Sequence, residues 1–301
     1  AESQKFVDTL VRKSLQGIEV RLSYDDVGSD ISKKMLRQLR EAGVEVHPFM
    51  PVQFPTLTSK INYRNHKKII VVDGVTGFVG GMNIADRYTN SDSDSRYWRD
   101  THLQLTGDAV WSLQILFLLN WVFVSGRDLL TNPTYFPDVE IEGDQLVQLV
   151  ESGPDSPWSS IMQGLFAAIN AAREYIYIQT PYFIPNEEIK TALQTAALSG
   201  IQVKIMIPYK NDSKIAQAAS FSYLKSMVDA GAQVFLYTKG MLHSKTLMID
   251  GNLCSIGTAN MDQRSFDLNF EVNAFIFDIL TTERLVDDFN NDLKHCEMLD
   301  A

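Results

Sequence analysis

The stretch Asn65-His66-Lys67-Lys68-Ile69-Ile70-Val71-Val72-Asp73-Gly74 is matched later in the chain by Leu242-His243-Ser244-Lys245-Thr246-Leu247-Met248-Ile249-Asp250-Gly251. Each stretch is followed by a glycine and an asparagine at the same spacing, and these are Gly80 with Asn83 and Gly257 with Asn260. All five shared positions (His, Lys, Asp, Gly and Asn) lie 177 residues from their counterparts. Five such matches at one offset would be very rare by chance, so the chain contains a duplicated unit.

The duplication extends upstream of the motif. Gly17-Ile-Glu-Val-Arg-Leu22 is similar to Gly200-Ile-Gln-Val-Lys-Ile205, and Ala42–Val46 is similar to Ala230–Val234. The shared order is strand, helix, strand and then a hairpin that carries the motif, which is an α/β unit. A period this long indicates two domains rather than a solenoid, whose repeats are about 20–50 residues long.

We therefore predict two tandem, pseudo-symmetric α/β domains that share one active site at their interface. A length of 301 residues agrees with two domains of roughly 150 residues each. The predicted boundary lies at 135/136, within a linker at 131–144 that is punctuated by proline and glycine. The second copy has a helix and a β-rich run, Tyr175–Gln179, with no counterpart in the first copy. We therefore expect the first domain to lack its N-terminal strand and helix.

Composition excludes some classes of function. The net charge of −10 argues against a protein that coats nucleic acid through a general basic field. It also offers no general attraction to an anionic membrane, so lipid binding must use local basic residues or apolar insertion. The apolar segment Ala109–Val124 is interrupted by Gln114 and Asn120 and is too short for a membrane span. It is either a core helix or a helix that lines a lipid-accessible groove.

The motif predicts how its side chains are arranged. Residues two apart on a strand point to the same face, so each histidine should project together with the lysine that follows it. Asp73 and Asp250 have the opposite parity and fall at Asp-Gly hairpin turns, so we expect them to act mainly through structure. The return strand should bring Asn83 and Asn260 back towards the histidines.

Two histidines, two lysines and two asparagines in one cleft suit phosphoryl chemistry. One histidine can attack phosphorus while the other protonates the leaving oxygen. The lysines Lys68 and Lys245, with Asn83 and Asn260, can bind the phosphate oxygens and stabilise developing charge. The paired lysines could supply the positive charge that a metal provides elsewhere, so we predict neither a metal nor another cofactor.

His-x-Lys-x4-Asp-x6-Gly-x2-Asn, present twice, resembles the pattern of the phospholipase D superfamily, and the closer resemblance is to bacterial-type cardiolipin synthases. The segments that carry this resemblance span nearly the whole chain and are Tyr63–Lys68, Gly77–Ile84, Tyr97–His102, Gln179–Pro185, Gly240–Thr246, Gly257–Phe266 and Asn269–Phe275. The superfamily often has serine two places before the motif asparagine, where this chain has Gly81 and Thr258. We therefore expect the two halves to be inequivalent.

The resemblance implies a transfer between two phosphatidylglycerol molecules through a covalent phosphatidyl-histidine, giving cardiolipin and glycerol. It implies phosphatidylglycerol, cardiolipin and a membrane surface as partners, and no nucleic acid. It also implies a location at the bacterial inner membrane, with the catalytic part facing the cytoplasm and the membrane segments outside this chain. The alternatives are a hydrolase of the same superfamily, with water as the acceptor, and a non-catalytic lipid-binding scaffold.

By analogy with the superfamily, His66 is assigned as the nucleophile and His243 as the general acid and then base. A histidine that directs one nitrogen at phosphorus needs its other N–H held, usually by a carboxylate or carbonyl. We predict that Asp100 orients His66 and that Glu271 orients His243. The alternative is that both acids form ion pairs with arginines such as Arg99 and Arg264.

Overall fold

The computed structural model describes residues 2–51, 62–90, 96–139 and 143–299. Elements are numbered in chain order. The first half contains α1 (Glu2–Leu15), β1 (Arg21–Asp25), α2 (Lys33–Glu41), β2 (Glu45–Phe49), β3 (Arg64–Asn65), β4 (Ile69–Val72), β5 (Thr76–Gly80), β6 (Tyr97–Arg99), β7 (His102–Thr106) and α3 (Ala109–Ser125).

The second half repeats this order and adds elements at both ends. It contains β8 (Leu146–Ser152), α4 (Ser160–Ala171), β9 (Tyr175–Gln179), β10 (Phe183–Ile184), α5 (Glu187–Leu198), β11 (Gln202–Pro208), α6 (Lys214–Asp229), β12 (Gln233–Tyr237), β13 (Gly240–Leu242), β14 (Thr246–Ile249), β15 (Leu253–Gly257), β16 (Met261–Asp262), α7 (Gln263–Asp267), β17 (Asn269–Phe277), α8 (Ile279–Leu293) and β18 (Cys296–Met298). The predicted mixed α/β fold is confirmed.

The second half is built on a large mixed sheet in the order β18-β12-β11-β9-β14-β15-β17-β3, with β8 also paired to β17. Helices α4, α5 and α6 bury one face of this sheet, while α8 covers the other face around Phe289. The first half has a two-stranded β1–β2 sheet and a separate β4–β5–β7 sheet. Two short pairs, β13–β6 and β17–β3, join the halves.

Both motif hairpins turn at an Asp-Gly pair, as predicted. Asp73 and Gly74 have φ angles of 54° and 71°, and Asp250 and Gly251 have φ angles of 50° and 70°. These are the positive values that a type I′ turn requires at both central positions. The Asp250 carboxylate also accepts hydrogen bonds from the backbone N–H groups of residues 173, 174 and 175 at 2.7–2.9 Å. This carboxylate therefore ties the turn to the start of β9.

Helix α3, which contains the apolar segment, has two sides in different environments. One side packs on the β4–β5–β7 sheet, where Val110 and Leu113 are buried. The opposite side carries Ile115, Leu119 and Phe123, which are exposed and spaced four residues apart. Thus α3 is a core helix along one face and presents an apolar stripe on the other.

The placement of each motif histidine and lysine on one strand was wrong. The residues from the histidine to the lysine of each motif do not belong to a strand, because β3 and β13 end before the histidine and β4 and β14 begin after the lysine. Each motif histidine therefore lies where the chain passes from one sheet to another.

Candidate active site between the two halves

Each histidine is delivered by a short strand that pairs with the opposite half of the molecule. Strand β3, which ends just before His66, runs parallel to the start of β17. Strand β13, which ends just before His243, runs parallel to β6. The backbone pairing continues one residue further, because the His66 N–H donates to the carbonyl of Phe270 at 2.9 Å and the His243 N–H donates to that of Arg99 at 2.7 Å.

The acids that hold the histidines are the reverse of the predicted pairs. Glu271 lies 2.9 Å from His66 Nδ1 through both carboxylate oxygens, and Asp100 Oδ2 lies 2.7 Å from His243 Nδ1. The expectation that Asp100 orients His66 and Glu271 orients His243 is wrong. Each pair, β3 with β17 and β13 with β6, joins a strand of one half to a strand of the other half. The histidine that follows β3 or β13 therefore lies beside the acid of the opposite half.

The arginine alternative is not found either. Arg99 donates to Asp292 at 2.8 Å and to the backbone carbonyl of Asp100 at 2.7 Å, rather than to the Asp100 carboxylate. Arg264 donates to the backbone carbonyl of Asn62 at 3.3 Å. Neither arginine side chain therefore binds the carboxylate of Asp100 or Glu271.

Each carboxylate has its own support. Glu271 is fully buried and accepts hydrogen bonds from Thr258 Oγ1 at 2.5 Å and from Asn269 Nδ2 at 3.0 Å. Asp100 accepts from the Thr101 N–H at 2.8 Å and fills the space beside Gly81. A Cβ atom on Gly81 would lie 2.2 Å from Asp100 Oδ1. This close approach explains why the first half has glycine where the second half has threonine.

The two imidazoles have different surroundings. The His243 ring lies 5.4 Å from the Trp98 ring and 5.6 Å from the Tyr88 ring, both of which come from the first half. Its side chain is only 9% exposed, whereas that of His66 is 28% exposed. His243 is therefore enclosed and His66 is open to an approaching molecule.

The motif lysines lie against the backbone of their own histidines. Lys68 Nζ donates to the His66 carbonyl at 2.7 Å, and Lys245 Nζ donates to the His243 carbonyl at 2.5 Å. Burial lowers the pKa of Lys68 to about 7 and that of Lys245 to about 8, although Glu271 and Asp100 oppose the shift. Both ammonium groups therefore change charge near neutral pH.

Burial also controls the histidines and their acids. It lowers the pKa of His66, and it lowers the pKa of His243 well below 6.5, with Lys245 and Lys68 acting in the same direction on His243. Burial raises the pKa of Asp100. Although burial also acts to raise the pKa of Glu271, His66 and Lys68 bring it below its usual value. Both imidazoles are thus neutral in the unliganded protein at pH 7.

The asparagines are placed differently from each other. Asn83 Nδ2 donates to the Tyr88 hydroxyl at 2.8 Å, and this hydroxyl lies 3.4 Å from His243 Nδ1. Asn260 is buried, and its Oδ1 atom has no hydrogen-bond partner among the described residues. Asp73 and Asp250 stay at the hairpin turns. The structure thus assembles the two histidines and lysines with Asp100, Glu271 and Asn83.

Sequence reasoning missed Tyr88 and Thr258 as contributors to this site. Thr258 stands where the superfamily often has serine, and it retains a hydroxyl beside the buried Glu271. Tyr88 lies 177 residues before Ser265, whose Oγ accepts from the Asn260 N–H at 3.1 Å. Comparing the two copies at that offset was the available signal.

The arrangement defines the chemistry that the imidazoles can perform. A Nδ1–H that donates to a carboxylate leaves Nε2 with its lone pair free for attack or for proton transfer. The two lysines place positive charge next to both rings. Among the described residues, no three histidine, cysteine or acidic side chains are grouped to hold a metal ion.

Solved structures show the class of fold. The phosphatidylserine synthase of Haemophilus influenzae Rd KW20 superposes with a TM-score of 0.64 over 98% of this chain and 85% of its own, at 14% identity. The polyphosphate kinase of Porphyromonas gingivalis superposes with a TM-score of 0.61 over 98% of this chain and 42% of its own, at 12% identity. With the repeated motif, this is a protein of two phospholipase D-like domains.

The family follows from the sequence comparison. A model described as "Cardiolipin synthase, PLD-like domain" matches residues 2–101 and 165–293, so the chain belongs to this family. Cardiolipin synthase 2 of Bacillus anthracis is 50% identical over 95% of this chain. The major cardiolipin synthase of Bacillus subtilis is 45% identical over 96% of this chain.

The chain spans 56% of the length of the Bacillus anthracis relative and 61% of the Bacillus subtilis relative. Within the described ranges, no helix has both the length and the apolar character needed to cross a membrane.

Proposed function

We propose that this chain is the catalytic part of a cardiolipin synthase, which transfers a phosphatidyl group between two phosphatidylglycerol molecules through a phosphatidyl-histidine. The observation that carries the proposal is the pair of imidazoles, each held at Nδ1 by a carboxylate of the other half. The identity to named cardiolipin synthases supports the choice of lipid.

In the first step, His66 Nε2 attacks phosphorus of the first phosphatidylglycerol and forms a P–N bond. The bond between phosphorus and the headgroup glycerol oxygen breaks, and His243 supplies the proton that makes free glycerol. In the second step, neutral His243 removes the proton from a headgroup hydroxyl of the second lipid. That oxygen attacks phosphorus, the P–N bond breaks and cardiolipin leaves.

The difference between the two imidazoles supports this division of roles. A nucleophile must reach phosphorus, and His66 has the more exposed side chain. A general acid and base must keep one orientation through two proton transfers, and His243 is held between Trp98 and Tyr88 in addition to Asp100.

Substrate binding should prepare the acid. His243 has a lowered pKa partly because Lys245 and Lys68 are cationic and close. A phosphodiester anion between the lysines offsets their charge, so the pKa of His243 rises as the substrate binds. We propose that Lys68 and Lys245 bind the non-bridging oxygens together with Asn83 and Asn260, and that Asp73 and Asp250 act through the hairpin turns.

A lipid substrate places the enzyme at a membrane surface. We propose the inner membrane of a bacterial cell, with these domains on the cytoplasmic side, by analogy with the matched relatives. Phosphatidylglycerol and cardiolipin are the proposed partners, and nucleic acid is not. The net charge of −10 makes a general electrostatic attraction to anionic lipid unfavourable, so docking must depend on local groups.

Product analysis tests the reaction. The purified full-length protein is incubated with phosphatidylglycerol vesicles, and products are measured by mass spectrometry. We expect cardiolipin and glycerol in equal amounts, with a covalent adduct that maps to His66 after rapid quenching. Phosphatidic acid without cardiolipin would instead indicate a hydrolase, and an adduct on His243 alone would reverse the assignment of the two histidines.

A further inference from the structure

Asp25 lies at the end of β1 and binds the segment that delivers His66. Its Oδ2 atom accepts from the Asn65 N–H at 2.7 Å, one residue before the histidine. Its Oδ1 atom accepts from Arg64 Nε at 2.9 Å and lies 2.8 Å from Arg64 Nη2. Both residues of β3 are therefore attached to one largely buried carboxylate.

The loop after Asp25 is shaped around this contact. The Gly28 N–H donates to Asp25 Oδ1 at 2.5 Å. A Cβ atom on Gly28 would lie 2.0 Å from Arg64 Nη2, so any other residue here would displace the guanidinium from this position. Asp25, Gly28 and Arg64 thus form one packed unit beside the site.

Among its described residues, the second half has no equivalent of this unit. Strands β1 and β11 occupy matching places, since Arg21 pairs with Glu45 as Lys204 pairs with Gln233. The same register places Asp25 opposite Phe49 and Pro208 opposite Tyr237. Proline has no side-chain oxygen, so the end of β11 cannot hold the segment before His243 in this way. The carboxylate serves only the half that carries His66.

Asp25 also acts on the charge of the site. Burial is the main cause of the lowered pKa of Lys68, and Asp25 is one of the carboxylates that oppose it. Because Lys68 titrates near neutral pH, even a modest change in this support alters the fraction of lysine that is cationic.

We propose that Asp25 is a positioning residue for the histidine nucleophile: it fixes the strand before His66, and its negative charge acts on Lys68. This inference rests on the proposed function only for its effect on catalysis, because strand placement and lysine charge can be measured without turnover. The two contributions can be separated by substitution. Asp25→Asn removes the charge and can retain one hydrogen bond, while Gly28→Ala crowds the Arg64 guanidinium and Asp25 Oδ1 but keeps the charge of the carboxylate.

Sulfate binding to the full-length protein tests the electrostatic part, since the charge of sulfate is constant near neutral pH. Affinity is measured by calorimetry from pH 6 to 9 for the unaltered protein, Asp25→Asn, Gly28→Ala and Asp30→Asn. Asp30 lies on the same loop and is exposed, so its variant controls for the loss of one negative charge. In the unaltered protein, sulfate affinity should fall as pH rises through the range in which the lysines lose their protons.

In Asp25→Asn alone, we expect the fall in sulfate affinity to begin roughly half a pH unit to one pH unit lower than in the unaltered protein. We further expect kcat/KM for phosphatidyl transfer to fall about 10- to 100-fold in both Asp25→Asn and Gly28→Ala, because a small misplacement of a reacting group is costly. Asp30→Asn should match the unaltered protein in both measurements.

The outcomes separate this inference from the proposed function. If the unaltered protein synthesises cardiolipin and binds sulfate, but Asp25→Asn changes neither the pH dependence nor kcat/KM, the role of Asp25 is refuted. If the unaltered protein makes no cardiolipin, the proposed function fails, and the shift in sulfate binding still decides the inference. Circular dichroism of each variant identifies a loss of fold, in which case Asp25→Glu, which retains the charge, should restore the pH dependence of sulfate binding.

Discussion

The same motif occupies two very different settings in the two halves. Leu247 and Ile249 of β14 are 2% and 3% exposed, whereas Ile70 and Val72, which lie 177 positions earlier on β4, are 42% and 45% exposed. In the second half, β9 pairs with both β11 and β14, and α4 packs over them. No strand joins β1 to β4 among the described residues of the first half.

This difference shows that the geometry of the site does not depend on an equal scaffold beneath each copy. The histidines keep equivalent contacts because β3 and β13 are each paired with a strand of the opposite half. The complete core of the second half supports both pairs, since β17 lies within its large sheet and Leu242 of β13 is buried in the core cluster around Phe289.

The largest effect should come from removing either imidazole. His66→Asn and His243→Asn should each abolish cardiolipin formation, and the double variant should be no worse, because removing one member of a cooperating pair forfeits most of the effect of both. The halves should differ with a p-nitrophenyl phosphodiester lipid, whose leaving group needs no proton. We expect the His243→Asn protein to release nitrophenolate and retain the adduct, and the His66→Asn protein to do neither. The reverse pattern would exchange the two roles.

Loss of a buried acid should cost less than loss of a histidine. Glu271→Gln and Asp100→Asn should each lower kcat by roughly 10²–10⁴-fold, because an amide no longer fixes the tautomer of the imidazole. Because Glu271 contacts His66 and Asp100 contacts His243, the two variants should differ under single-turnover conditions with the same nitrophenyl substrate. Glu271→Gln should slow adduct formation, whereas Asp100→Asn should leave it close to normal. Equal slowing by both variants would contradict separate roles for the two pairs.

Stability should distinguish the two cores. Leu247→Ala should lower the free energy of unfolding by about 2–5 kcal/mol, because it leaves a cavity under α4 and α5. Ile70→Ala, at the matching position of the first half, should change it by no more than about 0.5 kcal/mol. Urea unfolding followed by circular dichroism measures both. A large cost at Ile70 would mean that its face is covered in solution.

The smallest effect concerns pH. The lysines bind phosphate only while protonated, so kcat/KM should fall as pH rises through about 7 to 8, the pKa values of Lys68 and Lys245. His66 attacks only while neutral, and its pKa lies below 6.5, so the fall on the acid side should begin below that pH. The profile of kcat/KM reports groups of the free enzyme. A rate that stays constant from pH 7 to 9 would contradict the assigned role of the lysines.

Much of the fold could be predicted from local signals. The Asp-Gly turns require a particular backbone conformation, and the bounds of α5, Glu187–Leu198, follow from Asn186 as its N-cap and Gly200 beyond its end. Both signals lie within a few residues of the structures that they specify. The resemblance between the copies, at an offset of 177 residues, predicted that the two motif histidines and lysines share one site.

The crossed pairing could not be predicted in the same way. His66 and Glu271 are 205 residues apart, and His243 and Asp100 are 143 residues apart. The choice of partner is made by two strands of only two or three residues, which leave almost no periodic pattern in sequence. The sequence also did not indicate the exposed face of β4, because Ile69–Val72 is apolar throughout and is typical of a fully buried strand.

The pairing of β3 and β13 with strands of the opposite half has a consequence for the origin of the molecule. Each half supplies a histidine that contacts the acid of the other half. Such a reciprocal pair of contacts is characteristic of an isologous interface between two copies of one subunit. A chain with a single motif could have built both sites only as a homodimer, at a concentration sufficient for association. Fusion of the copies replaces that association by an intramolecular encounter at high effective concentration. Each site was then free to lose its symmetry, and Gly81 and Thr258 record that divergence.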